Sequence, residues 1–286
     1  MAGEKMARAV AAQPAWLAQV PTEPLLATGR VLAVGCGTSF HAAQTTGDGI
    51  DALECLLSPP AADLLVLVSH EGGTPMTVEA ARAFPGPKVL VTGKSESELA
   101  RLADEVIVCT PEVEESYCHT ASYTCAVATL AAMRGEDVGW LSDAVAERLA
   151  GDRLPVSEHE QFLVTGAGRD WPTAQEAALK LREGVHLAAE AHRLEELLHG
   201  HLAAIDETVR CFVLEGEGRA SPRAAQVVAA LEAIGCDVTL VPTRHPVVDI
   251  VPFQLLTLDL AAARRVDPDT IRWDEPRWKA ARDAYS

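Results

Sequence analysis

Lys180 and Glu183 stand three residues apart, and Glu176 precedes Lys180 by one helical turn. A helix through this stretch puts an ammonium and two carboxylates on one face. Such a face can hold a carboxylate ready to give or take a proton. Further on, short polar and charged runs end in His199, Gly200 and His201, a pattern read as a helix end and loop presenting an imidazole, which ordinarily titrates near neutrality. Residues 175–206 therefore offer an acid and a histidine together. Two plainer readings stand beside this one. Glu and Lys at helical spacing commonly form a solvated face with a weak ion pair. His192, Glu195, Glu196, His199 and His201 also fall at spacings that gather around a metal on a helix, but no further ligand motif accompanies them and no metal is expected.

A chain of 286 residues has the length of two ordinary domains. The 24 Lys plus Arg against 41 Asp plus Glu give a formal charge of −17, which argues against a nucleic-acid partner. The charge says nothing against an anionic small molecule, because backbone N–H groups at a helix N-terminus hold phosphate without a basic patch. The seven cysteines, at 36, 55, 109, 118, 125, 211 and 236, include no CxxC pair, as expected of free thiols in a reducing compartment. No leader-like apolar run opens the chain, and no apolar stretch is read as approaching the roughly 20 residues that cross a bilayer. The expectation is a soluble cytoplasmic protein with no membrane partner.

The elements that must position these groups alternate. Residues 1–20 read as an amphipathic helix with Met6, Val10 and Leu17 inward and Pro14 interrupting it. The apolar run 30–35 closes in Gly35-Cys36-Gly37-Thr38-Ser39, and the run 63–69 closes in a second polar glycine turn, Ser69 to Thr74. Each is a buried strand entering a glycine turn and then a helix. Further strands at 87–93 and 105–110, a polar loop at 111–124 able to serve as a lid, and a helix at 125–133 continue the series. Gly35 and Gly37 recur as Gly166 and Gly168 at an offset of 131 residues, so the chain reads as internally duplicated. The second half continues as helix 172–189, strand 209–214, helix 221–233, strand 237–242 and helix 252–265. The fold class is α/β, with parallel sheets flanked by helices, and ligands are expected beyond the carboxyl ends of the strands.

The segments GCGTS at 35–39, SHEGGTPMTVEAAR at 69–82, GAGRDWPTAQEAALKLREG at 166–184, EAHRLEELLHGHLAAID at 190–206 and VPFQLLTLDLA at 251–261 together resemble the sugar isomerase (SIS) family. The likeness is to the isomerase portion of glucosamine-6-phosphate synthase and its stand-alone relatives, and it covers nearly the whole chain. It implies two tandem SIS domains, each a flavodoxin-like three-layer sandwich, with an N-terminal helix at 1–27, a first domain at 28–140, a helical bridge at 141–155 and a second domain with the C-terminal tail at 156–286. It further implies that Glu183 shuttles a proton between C1 and C2 of a sugar, that His199, reaching in from a neighbouring subunit, opens the ring, and that Lys180 assists electrostatically. Cys36, Gly37, Thr38, Ser39, Ser69, His70, Thr74 and His119 would line the phosphosugar pocket. A homodimer with shared active sites and no cofactor is implied.

The chain departs from the family in several places. Glu71 stands where the phosphate loop has a serine, His119 where a later loop has one, and Ala281 where the tail has a lysine, with Lys279 two residues away. The segment between the two glycine turns is shorter. No glutaminase nucleophile is found, so glutamine-driven synthesis is not expected. The expected function is an isomerase or deaminase of a phosphosugar, an aminosugar 6-phosphate by preference, working through an enediol or enolamine. The alternatives are a fructosamine-type deglycase and a non-catalytic sugar-phosphate-binding SIS protein.

Overall fold

Residues 2–24 and 29–285 are described by the computed structural model, so the expected boundary at residues 27 and 28 lies outside the described residues. The described residues form two compact units, one of residues 5–24 and 29–147 with 270–285 and the other of residues 2–4 with 148–269. The tail expected with the second half thus belongs to the first unit, where the Trp273 ring lies 4.5 Å from that of Tyr117.

The first unit runs α1 (Glu4–Leu17), β1 (Val31–Gly35), α2 (Thr38–Gln44), β2 (Gly49–Asp51), α3 (Ala52–Leu57), β3 (Leu64–Val68), α4 (Pro75–Ala83), β4 (Lys88–Thr92), β5 (Glu105–Val108), α5 (Ala121–Met133) and α6 (Leu141–Ala150). Its strands are all parallel, in the order β2-β1-β3-β4-β5. Every residue of β3, Leu-Leu-Val-Leu-Val, is buried, as a strand covered on both faces requires. Leu32, Val34, Leu65, Leu67 and Leu90 pack on one side against Val78, Ala80 and Ala81 of α4 and Cys55 of α3. The alternate residues face α2 and α5, and α5 is buried along its whole length.

Two expectations are corrected in this unit. Pro14 does not interrupt α1, which continues to Leu17. Proline has no N–H to give to the Val10 carbonyl, but Gln13, fully buried, donates its side-chain amide there at 3.1 Å. Helix α5 begins at Ala121 rather than Cys125, because the buried carboxylate of Glu114 takes the N–H of Thr120 and of Ser122, each at 2.8 Å, and so caps the first turn.

The second unit runs β6 (Gln161–Gly166), α7 (Trp171–Val185), β7 (Ala188–Arg193), α8 (Leu194–Leu198), β8 (Val209–Leu214), α9 (Ala220–Ile234), β9 (Asp237–Val241), α10 (Pro246–Asp249) and α11 (Val251–Arg264). The tail helix α12 (Pro276–Asp283) returns to the first unit. The sheet is parallel in the order β7-β6-β8-β9, the same winding as the first. Leu163, Cys211 and Val213 meet Leu194 and Leu197 of α8 and Val227 of α9, while on the other face Phe212 meets Phe253 of α11 edge-on at 5.5 Å.

The helix expected over 172–189 stops at Val185, where His186 takes a left-handed conformation with φ 62°. Residues 188–193 then pair with β6 instead. Residues 246–264 form a 19-residue segment long and apolar enough to cross a membrane, which corrects the expectation that no run approaches that length. In its most apolar window 78% is buried, the signature of a helix apolar all round because it lies in a core.

Candidate functional site

The first unit gathers its polar groups beyond the carboxyl ends of its strands. After β1 the chain turns at Gly37, φ 54°, where an added Cβ would meet nothing within 4 Å. Thr38 and Ser39 then open α2. After β3, the Ser69 hydroxyl accepts the Gly72 N–H at 3.2 Å and lies 3.2 Å from the Thr74 hydroxyl, which fixes the loop entering α4. Thr38, Ser39, His70, Thr92, His119 and Ser122 face one small, partly open pocket of about 20 Å³. Ser69 and Thr74 form its neighbouring turn. The Cys36 thiol lies 3.6 Å from the Thr77 hydroxyl and packs on the core, and burial raises its pKa.

His70 is held by its surroundings in one tautomer. Its Nε2 accepts the Glu114 N–H at 3.0 Å, which leaves the proton of the neutral ring on Nδ1. Burial, and then the neighbouring His119 ring 5.1 Å away and edge-on, lower the His70 pKa to about 4, so the ring is neutral across the physiological range. His119 Nδ1 lies 3.9 Å from the Glu114 carboxylate. Glu71 swings to the Lys94 ammonium at 2.9 Å, and that hydrogen bond holds its pKa below the usual range. Its half-exposed carboxylate is thereby tied at the surface by a residue 23 positions further along. Glu114, Thr92, Ser122 and Tyr123 were not singled out from the sequence. For Glu114 the only available signal was a carboxylate shortly before a Ser/Thr-rich helix start.

In the second unit, α7 carries the ionisable group. Lys180 and Glu176 are fully buried, and the Lys180 ammonium lies 3.2 Å from the Glu176 carboxylate and 2.7 Å from that of Glu183. The Glu183 side chain retains 24% exposure. A solvated helix face is excluded by this burial, since charges removed from water at such cost persist only when paired. His199 ends α8 with its side chain 73% exposed, 3.1 Å from Glu195. Glu195 itself takes two N–H groups of Arg223, at 2.6 and 2.8 Å. His192 lies on β7 rather than a helix and stacks on His201 at 3.9 Å. Among the described residues no three His, Cys, Asp or Glu side chains are grouped to hold a metal ion.

A further pair of carboxylates follows the strand ends of this unit. Asp170 accepts the Thr243 hydroxyl at 3.0 Å, and Asp249 accepts the Arg244 N–H at 2.8 Å. Burial pushes the Asp249 pKa up to about 7. Between about pH 4 and pH 7 the folded chain therefore binds more protons at this site than the unfolded chain, and stability falls as pH rises through that window. Asp249→Asn is expected to melt higher than the parent at pH 8, by on the order of 2–4 kcal/mol, and to differ little near pH 4. Thermal melts across this range check it, and an equal effect at both ends would refute the assignment.

No family model matches the sequence. Among curated proteins, the glutamine–fructose-6-phosphate aminotransferase (isomerizing) of Pyrobaculum aerophilum is 28% identical over 89% of this chain and 52% of its own length. The enzyme of the same name from Thermus thermophilus is 29% identical over 85% of this chain and 51% of its own. The chain thus spans about half the length of these relatives. Among solved structures, glucosamine-6-phosphate deaminase of Thermotoga maritima superposes with a TM-score of 0.76 at 20% identity, covering 93% of this chain and 97% of that one. Tagatose-6-phosphate ketose/aldose isomerase of Escherichia coli gives 0.75 at 19% identity, covering 93% and 95%.

The resemblance to the sugar isomerase family holds. Both parallel sheets, flanked by helices, match the fold of these SIS-like neighbours. The motif stretches that carried the likeness supply the strand-end turns of the first unit and the charged face of α7.

Proposed function

We propose that this chain is a phosphosugar isomerase, acting on an aminosugar 6-phosphate and coupling the isomerisation to hydrolytic loss of ammonia, in which water adds at C2 and supplies the ketose oxygen as the C2–N bond breaks. The observation that carries this reading is the α7 group, in which a buried ammonium lies 2.7 Å from the one carboxylate that stays partly exposed, Glu183. Aldose–ketose exchange needs a group that takes a proton from one carbon and returns it to its neighbour, and a partly buried carboxylate is suited to it. Glu183 is that carrier, and Lys180 holds its carboxylate in place and stabilises the oxyanion of the enediol or enolamine. His199, exposed at the end of α8, opens the ring in the site of a second copy of this chain. Each unit is one SIS domain, and Ser39, Ser69, His70, Thr74 and Thr38, with the open backbone at Gly37, receive the distal phosphate, with His119 closing the pocket.

The test is proton NMR of the purified chain in D₂O with glucosamine 6-phosphate, fructosamine 6-phosphate and their unphosphorylated forms. Deuterium entering C2 of the aminosugar and C1 of the ketose formed, together with ammonia release, is the expected result, and it should be confined to the phosphorylated sugars. Exchange without ammonia would reduce the reading to an isomerase. Binding of these sugars with no exchange at C2 would overturn it in favour of a sugar-phosphate-binding protein.

A further inference from the structure

Glu176 takes no part in the proton transfer proposed above, yet it is as deeply buried as Lys180. It lies four residues before Lys180, while Glu183 lies three after, so the ammonium is flanked along the helix by a carboxylate one turn away on either side. The two contacts are unequal. The shorter, at 2.7 Å, goes to the carboxylate that stays partly exposed, and the longer, at 3.2 Å, goes to the one that is fully buried.

A lone ammonium at hydrogen-bonding distance stabilises the ionised form of a carboxylate and makes it a weak base. A second carboxylate within the same group acts in the opposite sense: it divides the field of the ammonium and adds like-charge repulsion. We propose that Glu176 is a positioning residue that, by sharing Lys180, keeps the proton affinity of Glu183 high enough for it both to take and to return a proton near neutral pH. The inference rests on the reading of Glu183 as the proton carrier.

The test separates the two readings because it first observes the carboxyl groups without substrate. The full chain is labelled with glutamate carrying ¹³C at the side-chain carboxyl, and its spectra are followed from pH 4 to 9, with the Glu183 and Glu176 signals assigned by their loss in Glu183→Gln and Glu176→Gln. In the parent protein the Glu176 signal should stay that of an ionised carboxylate between pH 5 and 9. A protonated Glu176 in that range cannot share the ammonium and overturns the proposal without recourse to any variant. In Glu176→Gln the titration midpoint of Glu183 should fall by about one pH unit or more, and the acid limb of the pH–rate profile for C2 exchange should move with it. A midpoint that stays or rises overturns the proposal even where the variant melts lower, since lost packing alone does not shift a titration. A midpoint that falls in a protein that never exchanges C2 would leave the coupling standing and remove the catalytic reading of Glu183. Exchange with an unmoved midpoint would do the reverse.

Discussion

Replacing Glu183 by glutamine is expected to slow deuterium entry at C2 by about a thousandfold, within the range typical of a lost general acid–base group, while the protein stays folded. Glutamine has nearly the same shape, and its amide oxygen can still accept from the Lys180 ammonium that now reaches Glu183 at 2.7 Å. What it cannot do is carry the proton. The side chain is partly exposed, so the lost charge is compensated by water better than a fully buried one would be. The measurement is the exchange rate at saturating sugar phosphate beside a thermal melt. A variant that exchanges C2 at the parent rate would remove Glu183 from the mechanism, and one that fails to fold would show that its charge serves structure first.

Lys180→Met is expected to act on stability as well as on exchange, lowering stability by roughly 3–5 kcal/mol, or on the order of 10 °C in melting temperature. The reason lies in Glu176 rather than in lysine itself. Both side chains are fully buried, and removing the ammonium leaves a carboxylate in a medium where an unpaired charge is very costly. Two controls tie the loss to that cause. Combining Lys180→Met with Glu176→Gln should recover a large part of it, because no charge is left unpaired. The single variant should also come closer to the parent at low pH, where Glu176 can be protonated. Additive losses in the double variant would show that Lys180 contributes by packing its methylene stem.

Much of the framework was legible because parallel strands covered on both faces announce themselves as unbroken apolar runs. β1, β3, β4 and β8 all fall where the sequence placed them, and the paired glycines at offset 131 return as Gly37 and Gly168 with φ of 54° and 57°. The edge strands β2 and β7 were not legible. β2 is only three residues long, none fully buried, and β7 carries the polar Glu190, His192 and Arg193, so neither period nor apolarity marks them. The chemistry divides in the same way. The α7 group was readable because its three members lie within eight residues of one helix. The ties of Glu71 to Lys94 and of Glu114 to His70 and Ser122 depend on which strand ends lie side by side, and local spacing does not record that.

The composition of the first unit bears on how the chain is made. Residues 5–147 leave the ribosome well before residues 270–286, yet both belong to that unit, and the Trp273 ring settles on Tyr117 in the loop ahead of α5. Domains generally fold as they emerge, N-terminal first. Here the first sheet can wind early, but its unit is completed only after every residue of the second sheet has been translated. A nascent chain therefore passes through a stage with the loop at 111–120 lacking its tail, and a single cut near residue 147 yields no fragment that holds a whole unit.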